Sequence, residues 1–544
     1  MMNAHMAYRL KRFVLAAMGA GTIMGCTSDF TEWNTNPNEA TDQMLDWDNA
    51  RTGAYFLQME QNVLVVAQSA ASIGTDRYQT VEIMGGDGFV GYFGFPSPSI
   101  NSAGRYNWNR ASWYGDMFTT NYTRTMNAWR ALRQAIGDDN DPRFAMAQIL
   151  KVAAMHRVTD TYGPIPYTRY GIDKEVPYDS QQAVYTRFFE ELEAAVEILA
   201  PYATAGSTIY TEYDCVYRGD IARWVKFANS LRLRLAMHLA YVDPDTARAQ
   251  AEAAVAAPGG LMTEANDAAV LQHISPLETY ESPIYITAVS WSDTRMGATI
   301  DSYMNGYADP RLRVYFTEST EGGYRGIRAG LSNSVSKSNY APEGDGATSG
   351  LFSVPNVNSA SDVVWMRASE SCFLRAEGAL RGWTMGDTAE NLYRQGVALS
   401  FTEHGVGSAE SYLADDTLVP ADYTDPVTSS YSATAQSDIT IAWEASASFE
   451  RNLERIITQK YIALYPVGQE AWTEYRRTGY PKVFPVCVNE SNGGCVDTDL
   501  QIRRLAFPQS EYDTNREQLD RGIALLGGAD NPGTRLWWDA KSAN

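Results

Sequence analysis

The side chains in this sequence that could do chemistry are acids, glycines and thiols at suggestive spacings. Glu370 and Glu377 fall in one register on a predicted helix whose apolar stripe runs through Val363, Met366, Phe373 and Leu380. Two carboxylates on one helix face suit general acid–base work. The preferred reading pairs them instead with cations of a neighbouring helix such as Arg455 or Lys460, because a buried carboxylate demands a partner. Gly86, Gly88 and Gly91 spell GxGxxG, but Phe93-Gly94-Phe95-Pro96 follows where a dinucleotide site needs a helix, so these glycines read as turn residues. Asp497-Thr498-Asp499 is a lone DxD that lacks half of a Ca²⁺ ligand set. No cofactor and no metal are expected. The sequence contains no GxSxG, HExxH or P-loop, and its 5 His are scattered without a partner pattern.

The 5 Cys carry more information. Cys26 stands directly behind Gly25 and an apolar run from Phe13 to Ile23, itself preceded by Arg9, Lys11 and Arg12. The run is too short to span a bilayer, so it reads as a secretory signal over residues 1–25. Gly25-Cys26 resembles the bacterial lipobox, in which the thiol is acylated and becomes residue one of the mature chain. Several acyl chains hold such an end to a membrane far longer than one could. Thr27-Ser28-Asp29-Phe30 resembles the short acidic signals that send some lipoproteins to the cell surface. In that oxidising compartment Cys487 and Cys495, which bracket a short loop with a Gly-Gly turn, are expected to form a disulfide. Metal binding would want CxxC spacing and a second pair. Cys215 and Cys372 read as buried thiols.

Charge narrows the partners. The chain carries 44 basic and 65 acidic residues, a net charge of −21, which becomes −24 once Arg9, Lys11 and Arg12 leave with the signal. Nucleic acid and anionic lipid surfaces are poor partners for such a protein. Aromatics make up 12% of the chain, with 33 Tyr and 13 Trp, and amphipathic rings in an acidic exported protein suggest a surface for uncharged polar ligands, although many of them must be core.

The elements that must position these residues read as helices in pairs. Residues 26–47 form a polar tether with Asn36-Pro37-Asn38 forbidding a helix. A single domain is expected over 48–544, with a first helix to about Val66 and a long loop from Met84 to Trp113. Helix pairs are predicted over roughly 112–257, where Asp141-Pro142 opens one helix, and over roughly 362–480. The interruption at 258–361 is rich in Gly, Ser and Asn. Loops of that length are functional or disordered. The fold class is therefore mainly α, a degenerate tetratricopeptide-type array with a loop-rich binding region at 84–113 and 258–361.

Several stretches in order resemble the SusD/RagB family of outer-membrane lipoproteins, and its SusD-like branch in particular. After the lipobox come NTNPN (34–38), DTYGPIPY (160–167), WVKFANSLRLRLAM (224–237) and ADPRL (308–312). ITQKYIALYPVGQEAWTEYRRTGYP (457–481), RRLAFPQSEYDTNRE (503–517) and NPGTRLWWD (531–539) complete the series. The resemblance implies tetratricopeptide-type helix pairs beneath a ligand-binding loop region. It also implies a lid over a SusC-type TonB-dependent outer-membrane barrel, into which nutrient is passed. Most such proteins capture glycans, while the RagB side serves peptides.

A sugar offers an apolar ring face edged by hydroxyls, so its receptor needs aromatic platforms beside planar hydrogen-bonding groups. The loops supply two candidate groups: Tyr92, Phe93, Phe95, Asn107 and Trp108, then Trp291, Asp293 and Arg295. The expected function is non-catalytic glycan capture and delivery to the barrel. A surface glycoside hydrolase would need two carboxylates across a cleft, and peptide capture on the same scaffold would favour basic peptides at acidic loops.

Overall fold

Helix boundaries follow from capping chemistry. Asp141 accepts a hydrogen bond from the Arg143 amide at 2.8 Å and Pro142 takes the first helical position, so a helix runs Pro142–Tyr162 as expected. It stops at Gly163, whose φ of 90° suits a residue without a Cβ. Side-chain caps of the same kind, from Ser180, Asp220, Asp243, Thr388 and Ser448, open the helices Gln181–Thr204, Ile221–His238, Pro244–Ala256, Ala389–Glu403 and Phe449–Leu464.

The computed structural model describes residues 49–66, 73–97, 100–107, 111–273, 280–332, 334, 340 and 350–541. The expected signal, Cys26 and the tether lie outside the described residues. The chain divides into two units, Met1–Thr52 and Gly53–Asn544, and the architecture that follows is that of the second.

It is mainly helical, and each helix packs on a near neighbour in the sequence. Pro142–Tyr162 packs on Gln181–Thr204, which packs on Ile221–His238, which in turn packs on Pro244–Ala256. In a second run Ala368–Leu380 packs on both Ala389–Glu403 and Phe449–Leu464, and the latter on Gly468–Thr478. Ile221–His238 meets Ala368–Leu380 and joins the two runs. This is the arrangement expected of a tetratricopeptide-type array. From Phe144 to Tyr162 every side chain except Gln148 is buried, so this helix is enclosed on all sides.

Two short antiparallel ladders stitch the long loops to this frame. Phe93 pairs with Met296 and Gly94 with Arg295, while Ala269–Leu271 pairs with Val363–Met366. Val363 and Met366 therefore stand on a strand, not on the helix, which begins at Ala368. The β-branched run Val363-Val364 fits a pleated, covered surface better than a helix. The stretch 84–113 also holds more regular structure than a loop. It contains the end of a wide-turn helix, Gln79–Asp87, the strand Phe93–Gly94 and a short helix, Asn101–Gly104.

A buried charge network ties the two helical runs together. Arg234 donates to both oxygens of Glu370 at 2.8 and 2.6 Å, and Arg477 donates to both oxygens of Glu377 at 2.7 and 2.6 Å. Lys460 stands 3.7 Å from Glu370, as expected, and 3.4 Å from Glu474. Arg455 is not a partner of either acid. It donates to Asn452 and to the Thr440 carbonyl instead.

Candidate functional site

One open cleft has a volume of about 650 Å³ and is lined by residues from five separate stretches, three of which form its main walls. The first wall comes from the segment after the short Asn101–Gly104 helix. There Tyr106 takes a positive φ of 62° and turns its ring into the core, leaving Asn107 half-buried at the cleft. Asn107 Nδ2 donates to Glu490 Oε2 at 3.1 Å, and Arg105 Nε lies 3.0 Å from the same oxygen. These two donors hold the Glu490 carboxyl below its ordinary range, so it is an anion at the cleft.

The second wall is the loop after Cys487. Gly493 and Gly494 both have positive φ, and the turn presents Asn492 to solvent. The third is the Asp530-Asn531-Pro532 turn. Asp530 accepts from the Phe507 amide at 3.1 Å, from the Tyr512 hydroxyl at 2.6 Å and from Arg504, which fixes it. Close approach seals the second wall to the third, for a Cβ on Gly533 would sit 1.8 Å from the Cys495 carbonyl oxygen. Leu505, Ala506 and Pro532 supply an apolar strip, and half-buried Tyr114 adds a ring. Burial and the Asp530 anion both raise the Tyr114 hydroxyl above its usual range, so it stays a protonated donor. One phenol, an apolar strip and several amides and carboxylates can hold a ligand that has both an apolar face and hydroxyls.

The predicted site residues divide sharply. Asn107 lines this cleft. Trp108 lies outside the described residues. Tyr92, Phe93 and Phe95 are core, at 0%, 1% and 2% exposure, and are not platforms. Tyr92 stacks on Tyr461 at 4.6 Å and donates its hydroxyl to the Tyr461 carbonyl, and Phe93 meets Tyr465 edge-on at 5.8 Å. The ladder to Arg295–Met296 draws them inward. Arg295 is buried with them, donating to the Ala288 and Thr294 carbonyls at 3.1 and 2.8 Å, and burial lowers it to about 10. It presents no guanidinium to a ligand. Trp291 and Asp293 are half-buried on the turn after Ile286–Ser290, and neither lines the 650 Å³ cleft.

The ladder thus brings Phe93 of the first group close to Arg295 of the second, but in the core. Sequence reasoning missed Tyr114, Glu490, Asn492 and Asn531. The signal for the last three was the amide- and glycine-rich turns Asn489–Gly494 and Asp530–Gly533.

Other candidates are consumed by structure. Glu370 and Glu377 are each 1% exposed and closed by arginines, so neither can reach a substrate. Burial pushes Glu377 up, but Arg477 and Arg381 outweigh it and hold the acid at about 2. Asp497 accepts from the Asp499 and Leu500 amides at 2.8 and 3.0 Å, so the DxD is a turn. Among the described residues one cluster could in principle ligate a metal: His238, Glu470 and Glu474. Its acids already face Arg234, Lys460 and Arg477, which supply the positive charge.

Cys487 and Cys495 are free thiols, contrary to the expected disulfide. Backbone bonds from Cys487 and Val488 to Ala329 and Gly330, both 3.0 Å, pack Cys487 in the small cluster around Leu331, whereas Cys495 belongs to the cleft wall. Burial raises the Cys372 thiol to about 11, and Cys215 is buried as expected.

A family model described as SusD-like, the SusD and RagB outer membrane lipoproteins, matches residues 32–539. Among solved structures, a chitin-binding SusD homologue from Flavobacterium johnsoniae is 39% identical, with a TM-score of 0.83 over 90% of this chain and 99% of that one. A SusD homologue from Bacteroides thetaiotaomicron is 38% identical at a TM-score of 0.82, over 90% of this chain and 99% of that one. One from Bacteroides vulgatus is 32% identical at 0.84, over 92% and 100%. No match is found among the curated proteins.

Proposed function

Because this chain belongs to the SusD and RagB family of outer-membrane lipoproteins, we propose that it is a non-catalytic surface receptor that captures a glycan and passes it to a SusC-type TonB-dependent barrel. The observation that carries this reading is the open cleft of about 650 Å³, where Tyr114 and an apolar strip lie beside the planar groups of Asn107, Glu490, Asn492 and Asn531. A ring face rests on the first kind of surface and its hydroxyls bond to the second. No bond need break, since release follows when the complex opens to the barrel.

The first glycan to try is a β-linked N-acetylglucosamine oligomer, because the similar Flavobacterium johnsoniae protein is a chitin-binding one. The amides of Asn107, Asn492 and Asn531 suit an acetamido group, which both donates and accepts. Lipidation at Cys26 would keep the receptor at the outer membrane.

The test is calorimetric titration of the detergent-extracted mature chain with chitin oligomers, beside a panel of neutral glycans and a basic peptide. Saturable binding of a glycan is expected, weakened about ten-fold by Asn107→Ala, the loss of one well-placed polar contact. Trp108→Ala and Trp291→Ala test the remaining sequence candidates in the same assay. Binding of the peptide with no response to any glycan would transfer the reading to peptide capture.

A further inference from the structure

A second cleft, of about 390 Å³, opens on the other flank of the segment that lines the first. Asp499, Leu500 and Arg503 face it, while Leu505 and Ala506 face the 650 Å³ cleft. Its chemistry differs from that of the rest of the molecule. Arg476, Lys482, Arg503, Arg535 and Lys541 converge on it, in a chain of net charge −21.

The acids nearby do not balance these five cations. Arg503 donates to both oxygens of Asp539 at 2.7 and 2.6 Å, and Arg535 leans on the same carboxylate at 3.5 Å, so one acid serves two arginines. Lys541 pairs with Glu450 at 2.6 Å. Asp499 is exposed on the rim. The buried Asp160 carboxylate also attracts Arg476, so four carboxylates answer five cations.

Arg476 is the most telling of the five. It is 2% exposed, yet it donates to the neutral carbonyls of Trp472, Asp160 and Arg503, at 3.2, 2.6 and 2.9 Å, and to the Thr473 hydroxyl at 3.1 Å. Its guanidinium carbon lies over Trp472, 3.4 Å from the ring centroid. Burial lowers it to about 9, a strain on the charged form that a nearby anion would relieve.

The cations are also held in place. Arg503 returns a bond to the Arg476 carbonyl at 2.6 Å, and the ammonium groups of Lys482 and Lys541 each stand 4.9 Å from the centre of the Tyr480 ring. Fixed donors lose little entropy when they meet a ligand.

We propose that this cleft is a second binding site, specific for a sugar residue that bears an oxyanion, either a carboxylate or a sulfate. Its volume suits a small ligand. The rings of Tyr475 and Tyr480, the Thr478 carbonyl region and the exposed amide of Gln436 supply the neutral polar groups that hydroxyls require. The site stands apart from the proposed capture of neutral glycan and does not depend on it.

The test uses the detergent-extracted full mature chain at low ionic strength, with saturation-transfer NMR and titration against glucuronate, glucose 6-sulfate, glucose and an N-acetylated dipeptide with a free carboxylate. Saturable binding of glucuronate or the sulfate ester is expected, with no response to glucose and with affinity falling as salt rises. Lys482 is exposed, so Lys482→Glu leaves the fold intact and removes the local charge excess. It should weaken the charged sugar about five-fold or more. Asn107→Ala, in the other cleft, should leave this binding unchanged, which separates failure here from failure of the glycan-capture reading. Equal response to glucose and glucuronate, preference for the dipeptide, or indifference to Lys482→Glu would overturn the proposal.

Discussion

Replacing Glu377 by Gln tests the buried charge network directly. The carboxylate is 1% exposed and takes two bonds from Arg477, at 2.7 and 2.6 Å, and one from Arg381 at 2.9 Å. Its folded value of about 2 lies below the ordinary 4.5. A depressed acid contributes stability that is present above its unfolded value and is lost as the pH falls towards the folded one. The gap corresponds to about 3 kcal/mol at pH 7 and, by the same linkage, to roughly 1.4 kcal/mol at pH 3. Breaking a buried pair by removing one partner costs a similar ~3–5 kcal/mol, because the other charge stays buried. Glu377→Gln should therefore be destabilised by about 3 kcal/mol at neutral pH, with more than half of the difference gone at pH 3. Urea unfolding of both proteins at pH 7, 5, 4 and 3 measures this. A difference that stays constant with pH, or one below ~1 kcal/mol at pH 7, would refute the reasoning, since 1 kcal/mol is what an exposed pair contributes.

Two further outcomes follow from the cleft walls. Gly533→Ala places a Cβ 1.8 Å from the Cys495 carbonyl oxygen, so the two walls must part. Glycan affinity should drop more than ten-fold with a stability loss of roughly 1–3 kcal/mol, read by titration and urea melts, and unchanged affinity would show that the walls do not form the site. A chain from residue 27 onward, unfolded without reductant, should titrate four thiols with a disulfide-exchange reagent, because no disulfide links Cys215, Cys372, Cys487 or Cys495. Two thiols would restore the disulfide expected from the sequence.

The cleft has a plain physical origin. Its polar groups stand on turns, where backbone groups are already satisfied locally, as at Asn531, whose Oδ1 accepts from the Gly533 amide at 2.9 Å. Such turns hold a fixed shape without a covering layer, so their side chains stay open to a ligand.

What the sequence determined by itself was local. Asp141-Pro142 announced a helix start because the cap and the missing N–H act within one turn, and the stripe of Met146, Ile149, Leu150 and Ala153 announced its burial, all four being core. Glu370 and Glu377 on one helical register announced paired acids, since a buried carboxylate needs a cation. The tertiary structure alone decided which cation came, Arg234 and Arg477 in preference to Arg455, because those partners lie over a hundred residues away for Glu370 and a hundred for Glu377. It also decided which aromatics face a ligand. Tyr92 and Tyr114 are alike as residues, yet the ladder between Phe93–Gly94 and Arg295–Met296 draws Tyr92 and Phe93 into the core while Tyr114 stays at a cleft. Exposure of a ring depends on what the rest of the chain lays over it, and that is a sum over distant contacts which no local pattern contains.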